Sequence, residues 1–174
     1  SLQNIERKSY YGAGQDPNAY GRTKDFTVVG GAQYAYDFDN LLFMPSVLTM
    51  GIEFSHNKLH DKMLGYNREI NQEVNVYSAY LQNEWKTARF GFLLGGRLDK
   101  NSNVDNPIFS PRVNIRYNPV TDLSFRASYS EGFRAPQTYD EDLHVAAVGG
   151  EVTLIQVAED LKTEKSRSYS ASVD

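Results

Sequence analysis

Apolar and polar residues alternate with a period of two along most of this chain, which is the pattern of a strand with two unlike faces. Leu123, Phe125, Ala127 and Tyr129 share one parity; Ser124, Arg126, Ser128 and Ser130 share the other. Val113, Ile115 and Tyr117 stand against Arg112, Asn114 and Arg116, and Tyr169, Ala171 and Val173 against Ser168, Ser170 and Ser172. Phe90, Phe92, Leu94 and Leu98 form another apolar row, with Leu93 out of step. Upstream rows are Phe26, Val28, Ala32, Tyr34, Tyr36 and Phe38; Leu48, Met50, Ile52 and Phe54; and Tyr77, Ala79, Leu81 and Trp85. The pattern predicts strands near 2–11, 25–38, 46–58, 73–86, 88–99, 110–118, 122–131 and 164–174. The expected fold class is all-β, an antiparallel up-and-down meander of about eight strands.

The connections alternate in length. Short ones are expected at 39–45, at Lys86-Thr87 and at Asn118-Pro119-Val120-Thr121, where Asn and Pro are ordinary turn formers. Long ones are expected from Gly12 to Lys24, Leu59 to Gln72, Lys100 to Phe109 and Gly132 to Thr163. Strict alternation puts every long loop at one end of the sheet, as in an outer-membrane barrel. The predicted strands also match the roughly 9–11 residues of a tilted membrane strand better than the five or six of a globular one. Tyr36, Phe38, Trp85, Tyr117 and Phe125 fall near the short turns, where amphipathic rings meet a membrane interface. The other reading of the same alternation is a soluble antiparallel β-sandwich, a carbohydrate- or protein-binding module whose apolar faces form a core.

Composition narrows the functional classes. The 174 residues include no cysteine, which removes disulfide scaffolds, thiol catalysis and thiolate metal sites. A net charge of −4 argues against a nucleic-acid binder. Mean hydropathy is −0.54, and no apolar run approaches the roughly 18 residues of a membrane helix. Alternating strands average out in any such window, so a membrane β-barrel stays open. No Gly-x-Ser-x-Gly elbow, phosphate-binding Gly loop or His-Glu-x-x-His is present, and an enzyme is not expected. No cofactor is expected, with one candidate exception: Asp99, Asn101, Asn103 and Asp105 put oxygen-bearing side chains at the alternate positions used by calcium loops. Val104 stands where an EF-hand needs Gly and Ser110 where it needs Glu, so the competing reading is a plain polar hairpin. His56 and His60, four apart, are read as exposed residues of a strand entering a loop rather than as a zinc pair.

The motifs from residue 75 onward resemble a known family. Leu81-Gln82-Asn83-Glu84-Trp85 and Gly95-Gly96-Arg97-Leu98-Asp99 are followed by Ser110-Pro111-Arg112, the Asn118-Pro119 turn and Gly132-Phe133-Arg134-Ala135-Pro136. After a long loop comes Leu161-Lys162-Thr163-Glu164-Lys165-Ser166. This ordered series resembles the barrel of TonB-dependent outer-membrane receptors, and Tyr139 to His144 resembles the Bacteroidetes branch, among receptors for iron–siderophore complexes or cobalamin. The resemblance implies a bacterial outer-membrane location and energy-coupled uptake of a scarce nutrient. It implies a barrel of about 22 strands closed by a plug, so residues 1–174 are expected to be a partial barrel domain without the plug. Ending at Asp174 within a strand, rather than on an aromatic residue, fits that expectation. Implied partners are the plug and remaining barrel, TonB acting through the plug, a small nutrient ligand and the lipid bilayer, with no nucleic acid; the isolated piece is expected to self-associate, stay open or close into a small barrel. Extracellular loops of the family enclose the ligand, which makes Tyr139, Asp140, Glu141, Asp142 and His144 ligand candidates. Arg112, Asn114, Arg116 and Arg126 are expected to face the lumen, the arginines packing against the plug or steering an anionic ligand.

Overall fold

The computed structural model describes residues 1–10, 20–63, 68–136 and 162–174. They form eight strands: β1 (Leu2–Tyr10), β2 (Tyr20–Leu41), β3 (Met44–Met63), β4 (Arg68–Lys86), β5 (Phe90–Asn101), β6 (Ile108–Val120), β7 (Leu123–Arg134) and β8 (Glu164–Val173). Their order is β1 through β8 in sequence, so each strand lies beside its chain neighbours. The pairs β1–β2, β4–β5, β5–β6, β6–β7 and β7–β8 are antiparallel. The all-β up-and-down meander expected from the alternation is therefore the fold.

Several boundaries differ from expectation. β2, β3 and β4 run well beyond the apolar rows, so parts of 12–24 and 59–72 read as loop are strand. The short connection expected at 39–45 shrinks to Leu42-Phe43, and β7 continues through Gly132-Phe133-Arg134. The cause is that a ladder needs only backbone partners, whereas the sequence reading needed one apolar parity.

The chain divides into two compact units. The second comprises Gly31–Phe54, Val76–Ala135 and Thr163–Asp174. Its registers sort the side chains into two faces. Trp85, Phe92, Ile115, Ala127 and Ala171 are successive cross-strand partners on one; Gln82, Gly95, Arg112, Ser130 and Ser168 are successive partners on the other. The apolar face is uncovered: Ile52 is 64%, Phe109 61% and Leu81 54% exposed. Among the described residues no large side chain is fully buried. A water-soluble domain rarely leaves so much contiguous apolar surface, whereas a barrel strand presents this face to lipid.

Aromatic rings gather beside the short turns. Phe90 stacks on Tyr117, and Tyr117 on Phe125. Trp85 lies between Phe43 and Phe92, with ring centroids 5.5 Å away on each side, and its indole Nε1 donates to the Leu41 carbonyl at 2.8 Å. These contacts hold the turn in which Leu42 has φ 68°, a left-handed conformation that costs a non-glycine residue about 1–2 kcal/mol.

On the polar face Tyr80 reaches over β3 to donate its hydroxyl to Gln33 at 2.7 Å. Gly51 makes the path possible, since a Cβ there would lie 2.4 Å from the ring.

The first unit takes in the described residues of Ser1–Gly30, Ser55–Asn75 and Pro136–Lys162. One face of its strands is a hydrogen-bonded cluster: Thr23 donates to Asp61 at 2.6 Å, and the Asn57 amide donates to Asp25 at 2.9 Å and Thr27 at 2.8 Å. The opposite parity is polar too. Arg22 pairs with Glu6 at 2.6 Å, His60 with Glu69 at 3.0 Å and Lys62 with Glu69 at 3.6 Å. Neither histidine stands alone: His56 bonds Asn75 at 2.8 Å and meets the Phe26 ring edge-on.

Gly51→Val is expected to displace Tyr80 and destabilise the protein by about 1–3 kcal/mol, the usual cost of overpacking. Urea unfolding in detergent, followed by the fluorescence of Trp85, measures it. In a Tyr80→Ala background most of that cost should vanish.

Candidate functional site

The polar face of the second unit carries the candidate site. Its centre is Arg97 on β5, which the register sets beside Tyr80 of β4 and Ser110 of β6. The guanidinium donates Nε to Asp99 at 2.8 Å and Nη2 to Glu53 at 2.7 Å and Ser78 at 2.8 Å. Ser78 in turn donates to Asp99 at 2.5 Å. Asp99 and Ser78 are buried. Strands β3, β4 and β5 are thus tied by one set of charge-assisted bonds, in which Asp99 Oδ1 accepts from two donors and Glu53 Oε1 from one.

Two concave regions lie on this face, the first of them against the network. One, of about 380 Å³, is lined by Glu53, Tyr80, Arg97, Ser110, Arg112 and Glu131 among others. The other, of about 370 Å³, is lined by Glu84, Arg112, Asn114, Arg116, Arg126 and Ser128 among others. Arg112 lines both. The four residues singled out as facing a lumen, Arg112, Asn114, Arg116 and Arg126, therefore come together on one surface.

Two of the candidate calcium positions already carry partners within the protein. Asp99 is engaged with Arg97 and Ser78, and Asn101 accepts the Asn103 backbone N–H at 2.8 Å in a local turn. The Lys100 ammonium donates to the carbonyls of Val104 at 2.8 Å and Asp105 at 2.6 Å, so a lysine already supplies the positive charge inside this loop. Among the described residues no three His, Cys, Asp or Glu side chains are grouped to hold a metal. Tyr139, Asp140, Glu141, Asp142 and His144 lie outside the described residues.

Sequence reasoning missed Glu53, Ser78, Tyr80 and Arg97. All four sit on polar parities, which was legible, but their partnership depends on register across three strands. The one local sign was Arg97 two residues before Asp99, a same-face pair on a strand.

Comparison with known proteins decides the family. The family model described as TonB dependent receptor-like, beta-barrel matches residues 2–174. The chain belongs to the TonB-dependent receptor family. It lies in the bacterial outer membrane, and its strands are barrel strands, which sets aside the soluble sandwich. A curated relative, the iron-regulated outer membrane virulence protein of Vibrio cholerae serotype O1, is 32% identical over 96 residues, covering 52% of this chain and 14% of that protein. The chain thus spans about one seventh of the length of the curated relatives it matches. The crystal structure of the siderophore receptor PirA from Acinetobacter baumannii aligns with TM-score 0.52 at 21% identity, over 68% of this chain and 18% of that one. A structure of FpvAI in complex with a pyocin aligns with TM-score 0.53 at 16% identity, over 78% of this chain and 23% of that one. At these identities the solved structures speak for the receptor barrel fold.

Removing Arg97 from this receptor should leave the buried Asp99 carboxylate with one hydroxyl partner. Arg97→Gln is expected to cost about 1–3 kcal/mol, less than a wholly buried pair would lose because Arg97 and Glu53 are partly exposed. The double variant Arg97→Gln/Asp99→Asn should recover most of that loss in the same urea titration.

Proposed function

We propose that this chain forms part of the barrel wall of a receptor that imports an iron–siderophore complex across the outer membrane. The observation that carries the reading is the family match over residues 2–174. The iron assignment draws on the curated relative named as iron-regulated and on the fold shared with a siderophore receptor. In this reading the work is binding and gated passage rather than bond chemistry. The apolar face meets lipid, and the polar face, with Arg112, Asn114, Arg116 and Arg126, lines the lumen. A plug and the remaining strands complete the barrel, and TonB supplies the pull through that plug. The loop carrying Tyr139, Asp140, Glu141, Asp142 and His144 gathers the ligand from outside.

Uptake of radiolabelled ferric siderophore and of labelled cobalamin, compared in cells with and without the protein, tests this. Loss of the protein should abolish ferric-siderophore uptake and leave cobalamin uptake unchanged. An uncoupler of the proton gradient should stop uptake while surface binding persists. Loss of cobalamin uptake with iron uptake intact would sink the iron assignment and favour a cobalamin receptor.

A further inference from the structure

The lipid-facing row of β2 carries no charge from Phe38 to Phe26, which are twelve residues apart. That is about 40 Å of strand, or about 28 Å along the membrane normal at a tilt near 45°, close to the thickness of the hydrocarbon layer. The next members of the same row are Lys24 and Arg22. Both neighbours of β2 in the first unit repeat the change. On β1, Leu2 and Asn4 stand across from Val28 and Phe26, and Glu6 and Lys8 stand across from Lys24 and Arg22. On β3, His56 meets the Phe26 ring, and Lys58 follows two residues later. Lys24 and Lys58 are each next in sequence to a member of the Asn57–Asp25 hydrogen bond, so they share a level of the opposite parity on neighbouring strands. The acids of this row answer its cations incompletely. Glu6 lies across from Lys24 but pairs with Arg22 at 2.6 Å, and Glu69 is taken by His60 and Lys62. Lys8, Lys24 and Lys58 are exposed and have no hydrogen-bond or ion-pair partner among the described residues. Glu73 on β4 is the remaining acid of the row without one. Lys8 and Arg22, as direct cross-strand partners, also oppose each other.

We propose that Lys8, Lys24 and Lys58 form a binding site for the phosphate groups of an anionic lipid headgroup, in the leaflet nearest the long loops. Basic residues placed just beyond an apolar membrane surface attract anionic lipid. Here the apolar surface positions the ligand. Acyl chains lie along Leu2, Val28 and Phe26, and the headgroup then falls beside Lys24, two residues or about 7 Å farther along the strand. Lysine suits the task, because its stem covers apolar surface while its ammonium reaches up to the phosphate. A headgroup with two phosphates engages lysines on two strands and relieves their mutual repulsion. A zwitterionic phospholipid brings no net charge to do so, and a free phosphate has no chains to hold it against the wall. The inference rests on the lipid-facing wall of the barrel and is independent of which nutrient the receptor carries.

The test uses the whole receptor carrying this chain, purified from outer membranes, stripped of lipid in a neutral detergent and titrated with bis-phosphoryl lipid A. Native mass spectrometry counts the lipids bound, with a chelator present so that no divalent cation bridges acid to phosphate. Lys24→Gln or Lys58→Gln should weaken one bound lipid by about fivefold, the worth of one lysine near a charged surface, and the double variant by about 25-fold. Lys24→Arg/Lys58→Arg, which keeps the charge, should bind as the unaltered receptor does. Glu6→Gln, which frees Arg22, should tighten binding, a gain that a misfolded barrel cannot give. Lys86→Gln, at the short-turn end, should change nothing. Wild-type affinity for every bound lipid in the Lys24→Gln/Lys58→Gln variant, or equal binding of dephosphorylated lipid A, overturns the proposal. Equal competition by inorganic phosphate at lipid concentrations also overturns it, leaving a site for soluble anions.

Discussion

A peptide N–H or C=O placed in hydrocarbon must find its partner within the protein, because no water is there to take it. The rest of this structure depends on that constraint. The chain meets it by laying each strand against its sequence neighbour, so that the ladder needs no crossover. Once the ladder is set, side chains have two directions only. In the second unit one direction receives Phe, Leu, Ile and Tyr, and the other receives Arg, Asn, Ser and Glu. The exposure of Ile52, Leu81 and Phe109, which would be a liability in water, is the expected state of a surface whose solvent is lipid. The aromatic groups at Trp85, Tyr117 and Phe125 then mark where that solvent gives way to the polar interface.

What could be read from the sequence follows from the same constraint. Alternation is a local property, so the strands carrying Leu123 to Ser130 or Arg112 to Tyr117 were legible residue by residue, and so was the polar parity of the three arginines. The ends of β2, β3 and β4 were not. Beyond Phe26, Phe54 and Tyr77 the apolar row itself turns polar, as in Lys24, His56 and Asn75, and a stretch whose apolar row has stopped reads as loop. The ladder there is kept by Arg22–Glu6, His60–Glu69 and the Asn57 amide, contacts between residues far apart in sequence. The histidine pair shows the same limit. Spacing alone gave two exposed residues, and it could not show that each has a partner on a neighbouring strand.

The site was legible as a surface and illegible as a circuit. Arg97, Arg112, Arg116 and Arg126 look alike in sequence: each is an arginine on a polar parity of a strand. Register separates them. Arg97 falls between Glu53, Ser78 and Asp99, and every acceptor it meets is supplied by the sheet itself. A charge satisfied in this way stiffens the wall and has little left to offer a ligand. Asp99 illustrates the converse, since its engagement with Arg97 removes it from the oxygen set that suggested a calcium loop.

Arg116 and Arg126 are the opposite case. Their register sets cation against cation, and the Arg116 Nε is buried without an acceptor among the described residues. A sheet gains nothing for its own stability from that arrangement, because a neutral residue at either position would relieve the repulsion. Charges that destabilise the element bearing them are easiest to understand when a counter-charge arrives from elsewhere, and the same reasoning separates structural from functional arginines along the rest of this face.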